Sequence, residues 1–181
     1  MKTPVLIELA IQTVLVAFAG ELRTGPFSLP SATHSLRVGL SLMKWGYEID
    51  VCLGGFFHDV DEDTSLNREF IRNKFGDRAH FLMLACTLDP TLEEKGPGED
   101  ELYQRVIKYA EAGDLDPLRI KCADSFDNLG TNACLKPEWQ EHAFKKGLNW
   151  HVAALRFFPT EALTRELGYL LQWEATRLAS K

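Results

Sequence analysis

Helical signals cover nearly all of the 181-residue chain, and this pattern constrains the fold more than any other feature. No stretch shows the alternation of apolar and polar residues that is typical of a strand. Gly20, Gly46, Gly76 and Gly113 are placed where helices should stop, because glycine readily takes the conformation that ends a helix. We therefore predict an all-α, compact multi-helix bundle with helices near 4–19, 32–45, 50–60, 65–75, 77–87, 99–112, 117–129, 137–158 and 160–179.

The length and the composition favour one folded domain. With 45% hydrophobic and 25% charged residues, the chain can bury a sizeable core and resembles neither a disordered nor a membrane-spanning sequence. We predict a single domain over 1–181, in which 137–181 forms a C-terminal helical hairpin joined at Pro159. The apolar residues of this hairpin form either core or a homo-oligomer surface: Trp139, Phe144, Leu148, Val152 and Leu155 on one side, and Leu163, Leu167, Leu170 and Leu171 on the other.

The first apolar segment has two interpretations. Lys2 followed by residues 5–18 resembles a secretory signal peptide. Glu8 interrupts that segment, however, and a charge in the middle of a bilayer costs about 3 kcal/mol. Thr3 as the cap and Pro4 as the first helical residue fit a largely buried first helix better.

Charge and cysteine usage exclude several classes of protein. The net charge of −6 argues against general binding to nucleic acids or to anionic membranes, which need a basic face. The four cysteines are widely scattered, and no pair has the spacing of a zinc or redox motif. We therefore expect a cytoplasmic protein whose anionic ligands, where present, are met by local basic groups.

The most informative motif is His58-Asp59, which follows an apolar stretch and precedes more acidic residues. On a continuous helix, Glu62 would lie one turn beyond His58, and Asp63 one turn beyond Asp59. Burying so many carboxylates without a cation would cost several kcal/mol. These carboxylates are therefore either solvated or arranged around a positive ion.

Two other segments favour the ion. His34 falls in the first turn of a predicted helix, after a serine or threonine cap. Asp124 lies inside a predicted helix that begins at Asp116-Pro117, and it shares one side of that helix with Lys121 and Asn128. A carboxylate between a cation and an amide suits a metal ligand with supporting neighbours.

The ordered set of His34, His58-Asp59 and Asp124 resembles the HD superfamily of metal-dependent phosphohydrolases. The stretch 58–64, reading HDVDEDT, is similar to the HD-x-x-EDT segment of RelA/SpoT-type alarmone hydrolase domains and their small stand-alone homologues. Residues 75–76, Thr87 and the segment 120–129 extend this resemblance. It covers roughly residues 20 to 132.

The resemblance implies a fold, a reaction and a set of site residues. It implies an HD-domain bundle that hydrolyses a nucleotide pyrophosphate, with (p)ppGpp 3′-pyrophosphohydrolase as the nearest activity. The implied metal ligands are His34, His58, Asp59 and Asp124, the implied catalytic residues are Glu62 and Asp63, and the candidate substrate contacts are Arg23, Lys121 and Asn128. The mixed nitrogen and oxygen set suits Mn²⁺, with Fe²⁺ or another divalent transition metal as the alternative.

The chain also departs from the family pattern. Where the family usually has a basic stretch after the threonine, residues 88–101 are acidic and would repel a polyphosphate. Ser125 stands where the family often has Arg or Lys. Two alternatives therefore stay open: an HD phosphatase acting on a different nucleotide, and a non-catalytic nucleotide-binding HD domain. Retention of Glu62 and Asp63 with all four ligands argues against the second alternative.

The remaining polar residues are assigned simpler roles. Asp61 and Asp127, which lie near the implied ligands and catalytic acids, are expected to be solvated. His80 alone, without two additional histidines, favours a single metal ion over a dinuclear centre. His142 and His151 are expected to be structural or surface groups.

Overall fold

The computed structural model describes residues 3–23 and 29–180, without the side chains of Glu94, Lys95 and Glu138. In this part of the chain the architecture is all-α, and the one β feature is an isolated bridge between Leu22 and Pro30. The helices are α1 (Thr3–Ala17), α2 (Ala32–Lys44), α3 (Ile49–Phe57), α4 (Val60–Asp63), α5 (Arg68–Phe75), α6 (Asp77–Cys86), α7 (Glu99–Glu111), α8 (Asp116–Gly130), α9 (Pro137–Phe157) and α10 (Ala162–Ala179). A π-helical turn at Glu94–Gly98 and a 3₁₀ turn at Asn132–Cys134 complete the set.

Helix α8 lies at the centre of the bundle. It packs against α2, α3, α6, α7, α9 and α10. Its fully buried residues are Leu118, Ile120, Cys122, Ala123 and Leu129. Burial of each large apolar side chain stabilises the fold by roughly 1.5–3 kcal/mol. A second apolar cluster joins α1, α3, α5 and α6 around Phe56 and Phe57. The polar side chains of α8 are therefore held in fixed positions by a surrounding core.

Helices α2 and α3 approach each other through glycine. A Cβ atom added to Gly55 would lie 2.4 Å from Leu42 and 3.3 Å from the Cα of Gly39, and one added to Gly39 would lie 2.4 Å from the ring of Phe56. A larger residue at Gly39 or Gly55 would have to displace the side chain of Phe56 or Leu42 or separate the two helices. Because the two helices are consecutive and closely packed, the start of α2 lies beside the end of α3.

The helix predicted over 50–60 ends at Phe57, which corrects its predicted boundary. The Nδ1 atom of His58 donates a hydrogen bond of 2.8 Å to the carbonyl of Gly55, the group that the Asp59 N–H would use in a continuing helix. The chain then restarts as the single turn α4, and the N–H of Asp63 donates to the carbonyl of Asp59 at 3.0 Å. Asp63 thus follows Asp59 by one turn, but Glu62 and His58 do not share a continuous helix.

The apolar residues of the C-terminal hairpin divide between surface and core. In α9, Leu148, Val152 and Leu155, which the sequence assigns to either core or a homo-oligomer surface, are 43–56% exposed, and the core contacts come from Trp150, Ala153 and Ala154. The bulky ring of Trp150, which packs against Tyr103, decides which face of α9 turns inward. On α10, by contrast, Leu163, Leu167 and Leu171 are buried.

The first helix is only half buried. Ile7, Ala10 and Val14 face the core, whereas Val5, Leu15 and Val16 are at least half exposed. Among the described helices, none is both long enough and apolar enough to cross a membrane. The extent of the single domain, 1–181, stays a prediction.

Candidate metal centre

Three separate elements bring four potential ligands to one point. His34 comes from the first turn of α2, His58 and Asp59 from the break between α3 and α4, and Asp124 from the middle of α8. The Nε2 atom of His34 lies 3.3 Å from Nε2 of His58, 3.3 Å from Oδ2 of Asp59 and 3.2 Å from Oδ1 of Asp124. The Nε2 atom of His58 lies 3.1 Å from Oδ1 of Asp59 and 3.8 Å from Oδ1 of Asp124.

The separations among His34, His58 and Asp59 fit a single metal ion, and Asp124, 3.2 Å from His34 but 3.8 Å from His58, lies just outside this group. When each ligand bond is near 2.1 Å, neighbouring ligand atoms are about 3.0 Å apart in an octahedral site and about 3.4 Å apart in a tetrahedral site. The ligand atoms of His34, His58 and Asp59 all lie within 4.8 Å of one another. His34, His58 and Asp124 are at most 4% exposed, while the Asp59 side chain is 25% exposed. The set is therefore buried except for the partly exposed side chain of Asp59.

The other nitrogen of each imidazole is held by an acceptor. Nδ1 of His34 donates to Oδ2 of Asp127 at 2.6 Å, and Nδ1 of His58 donates to the Gly55 carbonyl. Each contact directs Nε2 towards the centre, an arrangement typical of metal-binding histidines. Arg37 in turn holds Asp127 through two hydrogen bonds, of 2.6 Å from Nε and 2.9 Å from a terminal nitrogen.

The prediction that Asp127 is solvated was wrong. It is 8% exposed and connects His34 to Arg37. Two spacings in the sequence could have indicated this role, since Asp127 follows Asp124 by three residues and Arg37 follows His34 by three, which places each pair on one helix face. Asp61 is also not solvated, because its side chain is 11% exposed and lies 3.1 Å from Arg68.

The three predicted substrate contacts all lie next to Asp124. Lys121 is buried, and its Nζ lies 2.7 Å from Oδ2 of Asp124. Asn128 donates to Oδ1 of Asp124 at 2.6 Å and accepts from Arg23 at 2.7 Å. Lys121 and Asn128 therefore orient Asp124, and Arg23 reaches the centre through Asn128.

Glu62 and Asp63 lie at the opening of the centre. Oε1 of Glu62 accepts a 2.6 Å hydrogen bond from the backbone of Leu88, which holds the carboxylate in place. Glu62 is exposed, but partial desolvation by its neighbours and the negative charge of Asp59 raise its pKa to about 7, against the opposing effect of Lys121. Asp63 faces a cavity beside the centre.

This cavity has a volume of about 530 Å³, within the range of small-molecule sites. Its walls come from the segment before α2, from α4, α7 and α8, and from α9. They include Glu21, Leu22, Arg23, Ser31, Asp63, Glu99, Ser125, Asn128, Leu135, Trp139, His142, Ala143 and Lys146. His142 thus lines the cavity. His80 does not belong to the described group of histidines and acids that could hold an ion.

Comparisons with known proteins agree with this architecture. The chain is 31% identical over 153 residues to the GTP pyrophosphokinase of Streptomyces coelicolor and 30% identical over 102 residues to the guanosine-3′,5′-bis(diphosphate) 3′-pyrophosphohydrolase of Aquifex aeolicus. These matches cover 83% and 56% of this chain but only 17% and 14% of the relatives. No protein-family model matches the chain.

Solved structures share the fold over nearly the whole chain. A metazoan orthologue of SpoT that hydrolyses ppGpp superimposes with a TM-score of 0.75 at 22% identity, over 93% of this chain and 94% of that one. A protein from Listeria monocytogenes gives a TM-score of 0.63 over 83% of this chain and 99% of its own. The chain resembles the RelA/SpoT-type HD hydrolase domain in sequence and in fold. The predicted resemblance and the all-α class are thereby confirmed.

The charge state of the metal-free HD centre follows from its contacts. Burial alone would lower the pKa of His34, but the hydrogen bonds that its ring donates to Asp124, Asp127 and Asp59 raise it to about 10. Burial is likewise outweighed at His58, where Asp59 and Asp124 raise the pKa to about 9. The pKa values of Asp59 and Asp124 lie well below their usual range despite burial, because of the imidazoles and, for Asp124, Lys121.

The first prediction concerns metal content. Replacing Asp124 with alanine removes an oxygen from the centre and leaves Lys121 without its carboxylate, so bound metal should fall to a small fraction of the wild-type value. Asp61→Ala is the matched control, because it removes a nearby carboxylate that faces Arg68 instead. Elemental analysis of both folded variants checks this, and equal metal content in Asp124→Ala and wild type would refute the ligand assignment.

The second prediction concerns Asp127. Asp127→Asn should weaken Mn²⁺ binding by about 10- to 100-fold, the usual effect of removing the acceptor behind a metal-binding imidazole. Asp114→Asn is the control, since Asp114 forms a similar two-bond pair with Arg78 of α6, a helix that supplies none of the four candidate ligands. Competition with a chelating dye measures both affinities, and equal affinities in the two variants would show that Asp127 has no influence on the ion.

The third prediction concerns pH. A metal ion binds neutral imidazole, whereas both His34 and His58 are protonated at pH 7 in the metal-free HD centre, so binding should release up to two protons. The apparent affinity should then rise by up to about a hundredfold per pH unit below pH 9. Titrations between pH 6 and 8 test this, and a flat profile would contradict it.

The stability of the metal-free protein should change with pH in the direction opposite to metal affinity, and fall as the pH rises. Because the folded pKa values of both histidines exceed the ordinary 6.5, their ion pairs stabilise the fold fully below about pH 6.5. This stabilisation should be lost as the pH rises through 9 to 10. The thermal midpoint of chelator-treated protein measured across this range provides the check.

Proposed function

We propose that this chain is a metal-dependent (p)ppGpp 3′-pyrophosphohydrolase. The observation that carries the proposal is a buried cluster of His34, His58 and Asp59, with Asp124 beside it, next to a cavity of about 530 Å³ whose lining residue Asn128 contacts Asp124. Support also comes from relatives named as 3′-pyrophosphohydrolases and from a structural neighbour that hydrolyses ppGpp. Other relatives are named GTP pyrophosphokinases. The carboxylate of Glu62 is suited to activating water, and this favours a hydrolase over a pyrophosphokinase for this chain.

The proposed ion is Mn²⁺, with Fe²⁺ or another divalent transition metal as the alternative. His34, His58, Asp59 and Asp124 would hold it, since imidazole and carboxylate together suit such ions better than thiolate-rich sites do. When bound, the ion lowers the pKa of a coordinated water and offsets the negative charge of the phosphate. Asp127, Arg37 and the Gly55 carbonyl keep the two imidazoles in the orientation that this requires.

Glu62 is the proposed acceptor of the proton from the attacking water. A carboxyl group with a pKa of about 7 can take up and return a proton near neutral pH. The hydrogen bond from Leu88 fixes its position, and Asp63 lines the cavity next to it. Attack on phosphorus breaks the bond to the 3′-oxygen, and the products are pyrophosphate and a nucleotide with a free 3′-hydroxyl.

Arg23 and Asn128 are the proposed contacts to the nucleotide. Both line the cavity, and one terminal nitrogen of Arg23 is buried 3.8 Å from Asp127, too far for a hydrogen bond, and has no other hydrogen-bond acceptor among the described residues. A buried donor without an acceptor costs free energy that a substrate oxygen would recover. The Nζ atom of Lys121 lies 2.7 Å from Asp124, so Lys121 acts on the substrate indirectly, by positioning this proposed metal ligand.

We also propose a cytoplasmic location, which the four free cysteines support because a reducing compartment keeps thiols unpaired. The partner is a small-molecule nucleotide rather than a nucleic acid or a membrane. A homo-oligomer is a further proposal, based on the exposed apolar residues Leu148, Val152 and Leu155 of α9.

The fourth prediction separates catalysis from binding. The double variant Glu62→Gln, Asp63→Asn keeps the side-chain volumes but cannot accept the proton, so turnover of ppGpp should fall at least about a hundredfold. Metal content should stay at the wild-type level. The control is Glu69→Gln with Asp77→Asn, two acids that contact Arg72 at the surface. Released pyrophosphate and orthophosphate are measured separately with Mn²⁺-loaded protein.

Other outcomes of this experiment favour the alternatives. Rapid release of orthophosphate from another nucleotide, with ppGpp left intact, would replace the alarmone assignment with a general HD phosphatase. A protein that is fully loaded with Mn²⁺ and binds nucleotide, but hydrolyses nothing in a nucleotide panel, would be a binding domain without catalysis.

A further inference from the structure

Helix α9 contributes a pair of basic side chains to the cavity wall. His142 and Lys146 are four residues apart on the helix, so they lie on the same face, and both line the cavity. Arg23 and Asn128 line it as well, next to the metal centre. A nucleotide in the cavity would therefore meet donor groups at two places, and the centre accounts for only one of them.

In this structure a carboxylate already contacts the α9 pair. Oε1 of Glu99, the first residue of α7, accepts a hydrogen bond of 3.0 Å from Nε2 of His142 and lies 3.4 Å from Nζ of Lys146. Burial works against ionisation, but Lys146 and His142 together lower the pKa of Glu99. The ionised carboxylate thus occupies the donors of α9 and offsets the charge of Lys146 towards the cavity.

The same three residues also line a neighbouring cavity of about 380 Å³ between α7 and α9. The contact of Glu99 with His142 and Lys146 therefore lies at the boundary of two hollow regions and not inside a packed core. The three side chains are 23–37% exposed. A carboxylate in such a position can be displaced without opening the hydrophobic core.

We infer that His142 and Lys146 form a second anion subsite, which takes the 5′-phosphate of the nucleotide, and that Glu99 occupies this subsite until the nucleotide displaces it. The inference rests on the proposed function, because it assigns another part of the same substrate. Phosphate and carboxylate oxygens accept the same charge-assisted hydrogen bonds, and phosphate carries more charge. Glu99 would then set the preference for nucleotides with a highly charged 5′ group.

This assignment attributes the predicted effect of the acidic stretch 88–101 on nucleotide binding to a single side chain. Of its described side chains, that of Glu99 lines the cavity beside the metal centre. Asp100 lines only the neighbouring cavity, and Glu101 lies 3.5 Å from Arg105 on its own helix. The predicted repulsion of a polyphosphate by this stretch is thereby assigned to one residue.

The fifth prediction tests the subsite by binding. Dissociation constants of guanosine, GMP and GDP are measured by calorimetry with the Mn²⁺-loaded chain and the variants Glu99→Gln and Lys146→Met. Glu99→Gln should tighten GDP by about fivefold, the effect of removing one charge near a phosphate in partly exposed surroundings, and Lys146→Met should weaken it by about the same factor. Guanosine affinity should stay unchanged in both variants.

The matched control is Glu141→Gln, which removes the same charge from α9 at a side chain that faces Lys145 in solvent. An equal gain in GDP affinity from Glu141→Gln would overturn the inference, as would an equal gain in guanosine affinity from Glu99→Gln. The same variants are titrated with inorganic pyrophosphate. A gain for pyrophosphate without a gain for GDP would assign the subsite to the leaving group and overturn the 5′ assignment. Loss of folding cannot imitate opposite shifts in two variants.

The inference and the proposed function can fail separately. Hydrolysis of ppGpp with no effect of Glu99→Gln on GDP affinity would remove the subsite and leave the function in place. The expected GDP affinities without hydrolysis of ppGpp would support the subsite and remove the hydrolase assignment. If neither GDP nor ppGpp binds to the loaded protein, both are wrong.

Discussion

Three carboxylates surround one buried imidazole, and the centre depends on positive charge to hold them there. The two nitrogens of His34 lie within 3.3 Å of oxygens from Asp59, Asp124 and Asp127. Without compensating charge, burying these groups would cost several kcal/mol for each ion. In the metal-free state the charge comes from two imidazole protons together with Lys121 and Arg37. A divalent ion that replaces the two protons leaves the total charge unchanged.

This exchange explains how one set of contacts can support two states. The bundle must be able to fold before it meets an ion, and the protonated histidines allow this by pairing with the acids. In the proposed metal-bound state Asp59 and Asp124 would be ligands, while Asp127 and the Gly55 carbonyl would continue to hold the opposite ring nitrogens. Because both states use the same side-chain positions, little rearrangement separates them, which is the condition for a preorganised site.

Much of this arrangement could be predicted from the sequence, because it depends on local patterns. Helical periodicity and glycine stops located most elements, and Gly76 and Gly113 take the expected positive φ. The order of the two histidines and two aspartates predicted a cluster of ligands that the structure brings together. Lys121 and Asn128 were identified by their spacing around Asp124, since residues three and four apart share a helix face.

The parts that could not be predicted depend on contacts between distant segments. Asp127 looks like a solvated acid until α2 brings His34 and Arg37 against it. The end of α3 at Phe57 depends on a side chain that competes for a backbone carbonyl, which periodicity does not reveal. The inward face of α9 stayed open between core and surface because several apolar faces were available, and in the structure Trp150 packs inward against Tyr103.

The glycine contact between α2 and α3 has a consequence for sequence divergence. In most helix pairs the interaxial distance depends on the side chains between them, so substitutions in the core shift the helices. Here Gly39 and Gly55 bring the two backbones into near contact, and the spacing of the imidazoles of His34 and His58 is set largely by main-chain atoms. The rest of the core can then change over evolutionary time while the distance between the two histidines stays constant.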